Sequence, residues 1–271
     1  MMQGGLSMSK DNHHALYRRL ISWPPLAYLL IFFAIPTLIM VAATFANPGD
    51  YGGLAPMLTI DEQGWHWDLT FDNYHRFFED SLYLALFFKS LIYAIITTIF
   101  CLILAYPLAM LIARSTKRWR DLMILLVILP FWSNFLIRVY AWMIILSPEG
   151  ALTKAINQFI IPLGFEPVAL LYSPFAVIIG LVYVHLPFMI LPLYANLEKH
   201  DPALLDAAQD LGANAWARFW QVTFPLSLPG VFAGSALVFI PALGAFAVSD
   251  ILGGTDGLMI GNLIKIGRAS C

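Results

Sequence analysis

The chain has 271 residues, of which 60% are hydrophobic, 14% aromatic and only 12% charged, with a mean hydropathy of +0.75. Soluble domains are about a quarter charged, so this composition excludes an ordinary soluble fold and leaves a polytopic helical membrane protein. Two cysteines, Cys101 and Cys271, exclude a disulfide framework and a cysteine-built metal site; the net charge of −2 decides nothing until its distribution is read.

Apolar runs of the ~20 residues that cross a hydrocarbon core predict five spans, at 24–46, 83–113, 121–146, 173–195 and 229–252. Residues 1–23 form a polar tail before the first span, which is too long for a secretory h-region and is expected to remain as an anchor. Backbone groups in lipid must bond within their own segment, which forces helices. Pro107, Pro130, Pro187, Pro192 and Pro241 fall inside the spans and are expected to kink them, because each removes a ladder bond.

Orientation follows from Lys and Arg in the short loops. With the N-terminus inside, the inner loops hold nine: Lys10, Arg18, Arg19, Arg114, Lys117, Arg118, Arg120, Lys199 and Arg218. The other side holds Arg76 and Lys154, with Lys265 and Arg268 in the tail. The N-terminus is therefore expected in the cytoplasm. Residues 46–82 carry seven acids and one arginine, a formal charge of −6. That surface would concentrate cations, although acidic residues carry little topological weight and translocated loops are commonly poor in Lys and Arg.

The third span contains Ser133 and Asn134 beside Trp132, polar groups that prefer a lumen to lipid, and an arginine, Arg138, expected in a salt bridge or as a helix anchor. Trp132, Tyr140, Trp142 and Tyr183 offer ring faces for an ammonium, against the commoner roles of interfacial belt or packing. His185, in the fourth span, reads as an interhelical hydrogen bond rather than a proton relay.

The loop 196–228 predicts a helix, a turn and a second helix. Pro202 suits a first turn with Asp201 as N-cap; Ala203, Leu204, Ala207, Ala208 and Leu211 make an apolar stripe; Gly212 ends the helix as a C-cap. The second stretch, 215–223, is amphipathic and gathers Trp216, Phe219, Trp220 and Phe224, after which Pro225 and Pro229 are expected to break the chain as it enters the membrane. The bland alternative is an amphipathic helix pair lying on lipid. In the fifth span, Asp250 is a costly intramembrane charge, suited either to a wet pathway or to a helix cap. The chain then ends on Ile266–Cys271 after five spans, and a sixth is expected to be missing.

The spacing Asp206-Ala207-Ala208, three residues, Gly212, nine residues, then Val222-Thr223-Phe224-Pro225 resembles the "EAA loop" of permease subunits in bacterial ABC importers, with Asp206 for the usual Glu and Phe224 for the usual Leu. The strings LPFWSNFLIRVYAW at 129–142, GLVY at 180–183, LPFM at 186–189 and SDILGG at 249–254 resemble the polyamine (spermidine/putrescine, PotB/PotH-type) importer permeases over about residues 24–266. The resemblance implies an all-α, MetI-like bundle and alternating access. It implies ATPase coupling through Asp206, Ala207, Ala208, Gly212, Phe224 and Pro225, and a cationic substrate path with Asp250, Trp132, Asn134, Tyr140 and Tyr183 as candidates. It also implies an ATPase dimer, a second permease and an external substrate-binding protein as partners. With no G-x-x-x-x-G-K-[ST] run, ATP and Mg would be held by the partner ATPase, and this chain needs no cofactor or metal. An enzyme reading rests on His75…Asp80 and Ser147-Pro148-Glu149-Gly150, which match short acyltransferase strings, but on the outer side, where acyl-CoA is absent. A plain channel would leave the polar helix-turn-helix without a purpose.

Overall fold

The computed structural model describes residues 22–47, 49, 55, 57–61, 64–254 and 257–262. The predicted tail 1–23 lies outside it up to residue 21, as do Lys265, Arg268 and the C-terminal residues. The chain forms two units, divided between Asp80 and Ser81.

In the first unit, helix α1 (Ser22–Ala43) is membrane-length, and no residue of its apolar window is fully buried. Its turn at Leu30–Ala34 is a π turn closed by Ile35 N–H on the Leu30 carbonyl, two residues ahead of Pro36. A wider turn relieves the clash that a proline ring makes with the carbonyl four residues back. Strands β1 (Leu58–Asp61) and β2 (Gly64–Trp67) pair antiparallel, and helix α2 is Asp72–Glu79. The end of α1 is tied to this group by Thr70 N–H on the Phe45 carbonyl and by a Thr44–Tyr74 hydroxyl pair at 2.8 Å.

The second unit is the bundle. Helix α3 (Ser81–Arg114) has 34 residues and measures about 50 Å at 1.5 Å per residue, so it overshoots a ~30 Å hydrocarbon core. Next come α4 (Lys117–Ile128), α5 (Phe135–Leu146), α6 (Ala151–Ile160) and α7 (Pro174–Leu197), then α8 (Pro202–Asp210), α9 (Ala215–Leu243) and α10 (Ala247–Leu252). Helices α3, α7 and α9 pack on one another. Small residues let them close: a Cβ at Gly230 of α9 would stand 2.7 Å from Asn196 Cβ of α7, and one at Gly234 would stand 2.7 Å from Met189 Sδ. Gly230 and Gly234 make a small-x-x-x-small pair, the spacing that lets membrane helices approach.

Three elements differ from the sequence expectation. The run 121–146 is two helices: Leu129–Trp132 tightens to a 3₁₀ turn at Pro130, and Asn134 caps a new helix by accepting from Leu136 N–H at 2.8 Å. The twelve residues of α4 are too few to cross alone, and the candidate crossing is Phe135–Leu163, α5 together with α6; the apolar pattern continues through the break and hides it. The run 229–252 divides at Gly244–Phe246, and its last part is the six-residue α10. Pro225 and Pro229 do not break the chain, because α9 is continuous from Ala215. A π turn at Phe219–Thr223, closed by Phe224 N–H on the Phe219 carbonyl, again precedes a proline by two residues. Past α10, Asn262 is buried and its Oδ1 accepts from Ser249 Oγ (2.6 Å) and Met259 N–H (3.1 Å), while Ile260 N–H reaches Ser90 Oγ of α3.

Candidate functional site

Local rules build the helix-turn-helix at 201–224, hereafter the arm. Asp201 Oδ1 accepts from Ala203 N–H at 2.9 Å and Pro202 fills the first turn, where its missing N–H costs nothing. Helix α8 ends with Gly212 at φ +85°, the left-handed backbone that glycine adopts most cheaply. Gly212 N–H bonds the Gln209 carbonyl (2.8 Å) and Ala213 N–H the Ala208 carbonyl (3.0 Å), the double closure of a Schellman cap. Asn214 then caps α9 by accepting from Ala217 N–H at 2.8 Å. Across the turn, Arg218 Nη1 donates to Gln209 Oε1 at 2.6 Å, so the two helices form one bracket. Asn214 and the Arg218–Gln209 tie were not anticipated; an Asn just before an amphipathic run is a readable N-cap signal, whereas the tie depends on tertiary geometry.

Most of the predicted apolar stripe on α8 is open to solvent. Leu204 is 47% exposed and Leu211 89% exposed, and Ala203, Asp206 and Ala207 are exposed too, with Ala208 half-buried. This is apolar surface held out on a doubly capped bracket. Its root is aromatic. Trp220 and Phe224 have ring centroids 5.1 Å apart, Phe219 and Trp220 5.2 Å, and Tyr106 of α3 meets Phe219 at 5.4 Å. The Tyr106 hydroxyl pairs with buried Ser227 Oγ at 2.8 Å. Phe224 therefore anchors the arm to α3 instead of presenting itself outward, and Pro225 is exposed on α9. Helix α9 runs unbroken from the arm into a membrane-length span.

Between the arm and the ends of α3 and α7 lies a cleft of about 540 Å³ that includes Arg114, Glu198, His200 and Asp206. Glu198 at the end of α7 bonds Arg120 of α4 at 2.7 Å.

The five candidate path residues come from the α4–α5 break, α5, α7 and α10. Trp132 (76% exposed) and Asn134 sit at the break between α4 and α5, and Tyr140 (48% exposed) lies further along α5. Tyr183 is packed, its ring 5.6 Å from Trp142 in an edge-on contact. Asp250 is exposed on α10, beside buried Val248, Ser249 and Leu252. Asn134 spends its side-chain oxygen on the α5 cap. Of two further expectations, that for Arg138 is narrowed to the second of its alternatives, the helix anchor, and that for His185 is corrected. Arg138 makes no ion pair among the described residues; its guanidinium lies over Phe131 (5.4 Å) and Phe135 (6.0 Å), ring faces being a partner for a cation without a carboxylate. His185 bonds within its own helix, Nδ1 to the Leu181 carbonyl at 2.8 Å, not across to a neighbour. Of the enzyme strings, Glu149 is engaged by Lys154 at 2.6 Å and His75 lies 3.8 Å from Glu79. Among the described residues no group of His, Cys, Asp and Glu could hold a metal.

Among the described residues five apolar segments are long enough to cross a membrane, and with the exposed, doubly capped arm they fit an integral membrane permease. A family model described as "Binding-protein-dependent transport system inner membrane component" matches residues 81–269, beginning where the bundle unit begins, and the chain belongs to that family. It is 41% identical over 241 residues to the spermidine/putrescine transport system permease protein PotB of Escherichia coli strain K12, covering 88% of this chain and 82% of that one. The PotB of Haemophilus influenzae is 42% identical over 242 residues, with 88% and 79% covered. A bacterial alginate ABC transporter, solved in complex with an alginate pentasaccharide-bound periplasmic protein, superposes with a TM-score of 0.65 at 19% identity. The match covers 98% of this chain and 87% of that one, and the likeness is one of fold.

Proposed function

We propose that this chain is a permease subunit of an ATP-driven importer of spermidine- or putrescine-like polycations. The observation that carries the substrate is the 41% identity, over 88% of the chain, to a spermidine/putrescine permease. An ATPase dimer holds ATP and Mg and docks on the arm through Asp206, Ala207, Ala208 and the Gly212 turn. Closure of that dimer moves the arm and, through unbroken α9, the bundle, while a second permease subunit completes the path and an external binding protein delivers substrate. The N-terminus and the arm face the cytoplasm, as the Lys and Arg asymmetry requires.

The path runs by the α4–α5 break. Backbone freed from a helix at membrane depth is tolerated only against protein or water, and here Trp132 and Asn134 stand at that break with Tyr140 one further turn and a half along. Tyr183 supports Trp142 from behind, and Asp250 offers a carboxylate to an ammonium group.

The test is uptake of labelled spermidine by the assembled transporter in proteoliposomes with its binding protein. ATP-dependent uptake competed by putrescine, and weakened in Asp250→Asn by about 1–2 kcal/mol of lost charge pairing, is expected. No spermidine uptake, with another small organic solute carried instead, would overturn the substrate; uptake unchanged in Asp250→Asn would remove that residue from the path.

A further inference from the structure

Two cavities meet where α3 joins the arm. One is an apolar groove of about 420 Å³ along Leu102, Ile103, Tyr106 and Pro107 of α3, closed by Trp220 and Phe224 of α9. The other is a small cleft of about 160 Å³ whose only charged walls are Arg114 and Arg218, with Leu205, Ala215 and Thr223 completing it. Met110 and Phe219 line both. The groove belongs to a membrane-length helix and the cleft to its end, at Arg114. No carboxylate lines the small cleft. The larger neighbouring cleft shares both arginines and is lined by three acids, of which Asp201 caps α8, Glu198 bonds Arg120 and Asp206 lies on the exposed side of α8.

An apolar channel at membrane depth that leads to two arginines at the interface has the charge and polarity order of one molecule. We infer that this site holds an anionic glycerophospholipid, with an acyl chain in the groove and the phosphate between Arg114 and Arg218. A soluble phosphate would satisfy the arginines but leave the groove uncovered, and a choline or ethanolamine headgroup would bring an ammonium to a cleft with no acid to meet it. Basic pockets between membrane helices take such headgroups for this reason. Because Arg114 ends α3 and Arg218 stands in the arm, the bound lipid joins the two, so the arm is held to α3 most firmly in a membrane that supplies anionic lipid.

The experiment uses the assembled transporter in nanodiscs of phosphatidylglycerol or of phosphatidylcholine, with retained lipid read by native mass spectrometry and unfolding read by temperature; neither readout needs the transport substrate to be known. Phosphatidylglycerol is expected to be retained and to raise the midpoint, and Arg114→Gln is expected to weaken retention about fivefold, the worth of one basic residue at a membrane surface. Ile103→Trp, which fills the groove from an exposed position, should reduce retention with both arginines in place. Gln209→Ala breaks the tie to Arg218 without removing its charge, so retention should persist. Equal retention of phosphatidylcholine, or retention unchanged in both Arg114→Gln and Ile103→Trp, would overturn the site. Stabilisation by soluble glycerophosphate equal to that by the lipid would also overturn it, in favour of a plain phosphate site.

Discussion

The α3–α7–α9 core and the arm of the same bundle hold their shapes by different means. In the core, side chains interlock: Cys101, Ala105, Ala109, Met189, Leu193 and Val238 are sealed from solvent, and Gly230 and Gly234 bring backbones close. In the arm, little is buried beyond its aromatic root. Shape there comes from an Asp cap, an Asn cap, a left-handed glycine and one Arg–Gln bond, while its apolar stripe stays outside. The difference teaches that the arm is specified locally, so that it keeps one shape while its surface stays exposed. The core is specified by neighbours and has no surface to spare.

Substitutions that strike one region and spare the other test this contrast. The largest effect is expected from Gly230→Leu. A Cβ at that position already meets Asn196 Cβ at 2.7 Å and the Pro192 carbonyl oxygen at 3.2 Å, and overpacking of this kind costs about 1–3 kcal/mol or more. Thermal unfolding of the purified transporter should fall sharply, and an unchanged midpoint would mean that α7 and α9 do not pack as described. Next comes Gly212→Val. Nothing lies within 4 Å of a side chain there, so the whole cost is the ~1–2 kcal/mol of a left-handed backbone. It is confined to the turn, with uptake reduced and the core midpoint unmoved.

Tyr106→Phe, at the junction of the two regions, is expected to cost about 1 kcal/mol. Ser227 keeps its bond to the Phe224 carbonyl, and a loss above about 3 kcal/mol would show that the junction carries more than one hydrogen bond. The smallest effect should come from Arg120→Gln. Its partner Glu198 is partly exposed, and such pairs contribute about 0.2–1 kcal/mol. A larger fall in uptake than in stability would make that pair a gate between α4 and α7.

The same contrast explains what could be read in advance. The Asp201 cap and the Gly212 turn were legible because their causes lie within a few residues, and the number of apolar runs was legible because lipid imposes their length, although the third, expected at 121–146, is Phe135–Leu163. The break at Leu129–Asn134 was not, since apolar residues continue on both sides and only the Pro130…Asn134 spacing marks it. Nor was the continuity of α9 through Pro225, because a π turn absorbs the proline and periodicity cannot show a π turn. The small-x-x-x-small pair at Gly230 and Gly234 was present in the sequence and passed over. Of the candidate path residues, Tyr183 proved to be packed against Trp142, a distinction that composition does not carry, since a ring face for a cation and a ring for packing are the same side chain.

The most direct measurement is the number of ATP molecules hydrolysed per spermidine imported, in proteoliposomes containing Gly212→Val beside the unaltered transporter. If the arm transmits force between ATPase and bundle, hydrolysis continues while import falls, and the ratio rises severalfold with the core still folded. A ratio equal to that of the unaltered transporter, with import and hydrolysis both normal, would contradict it.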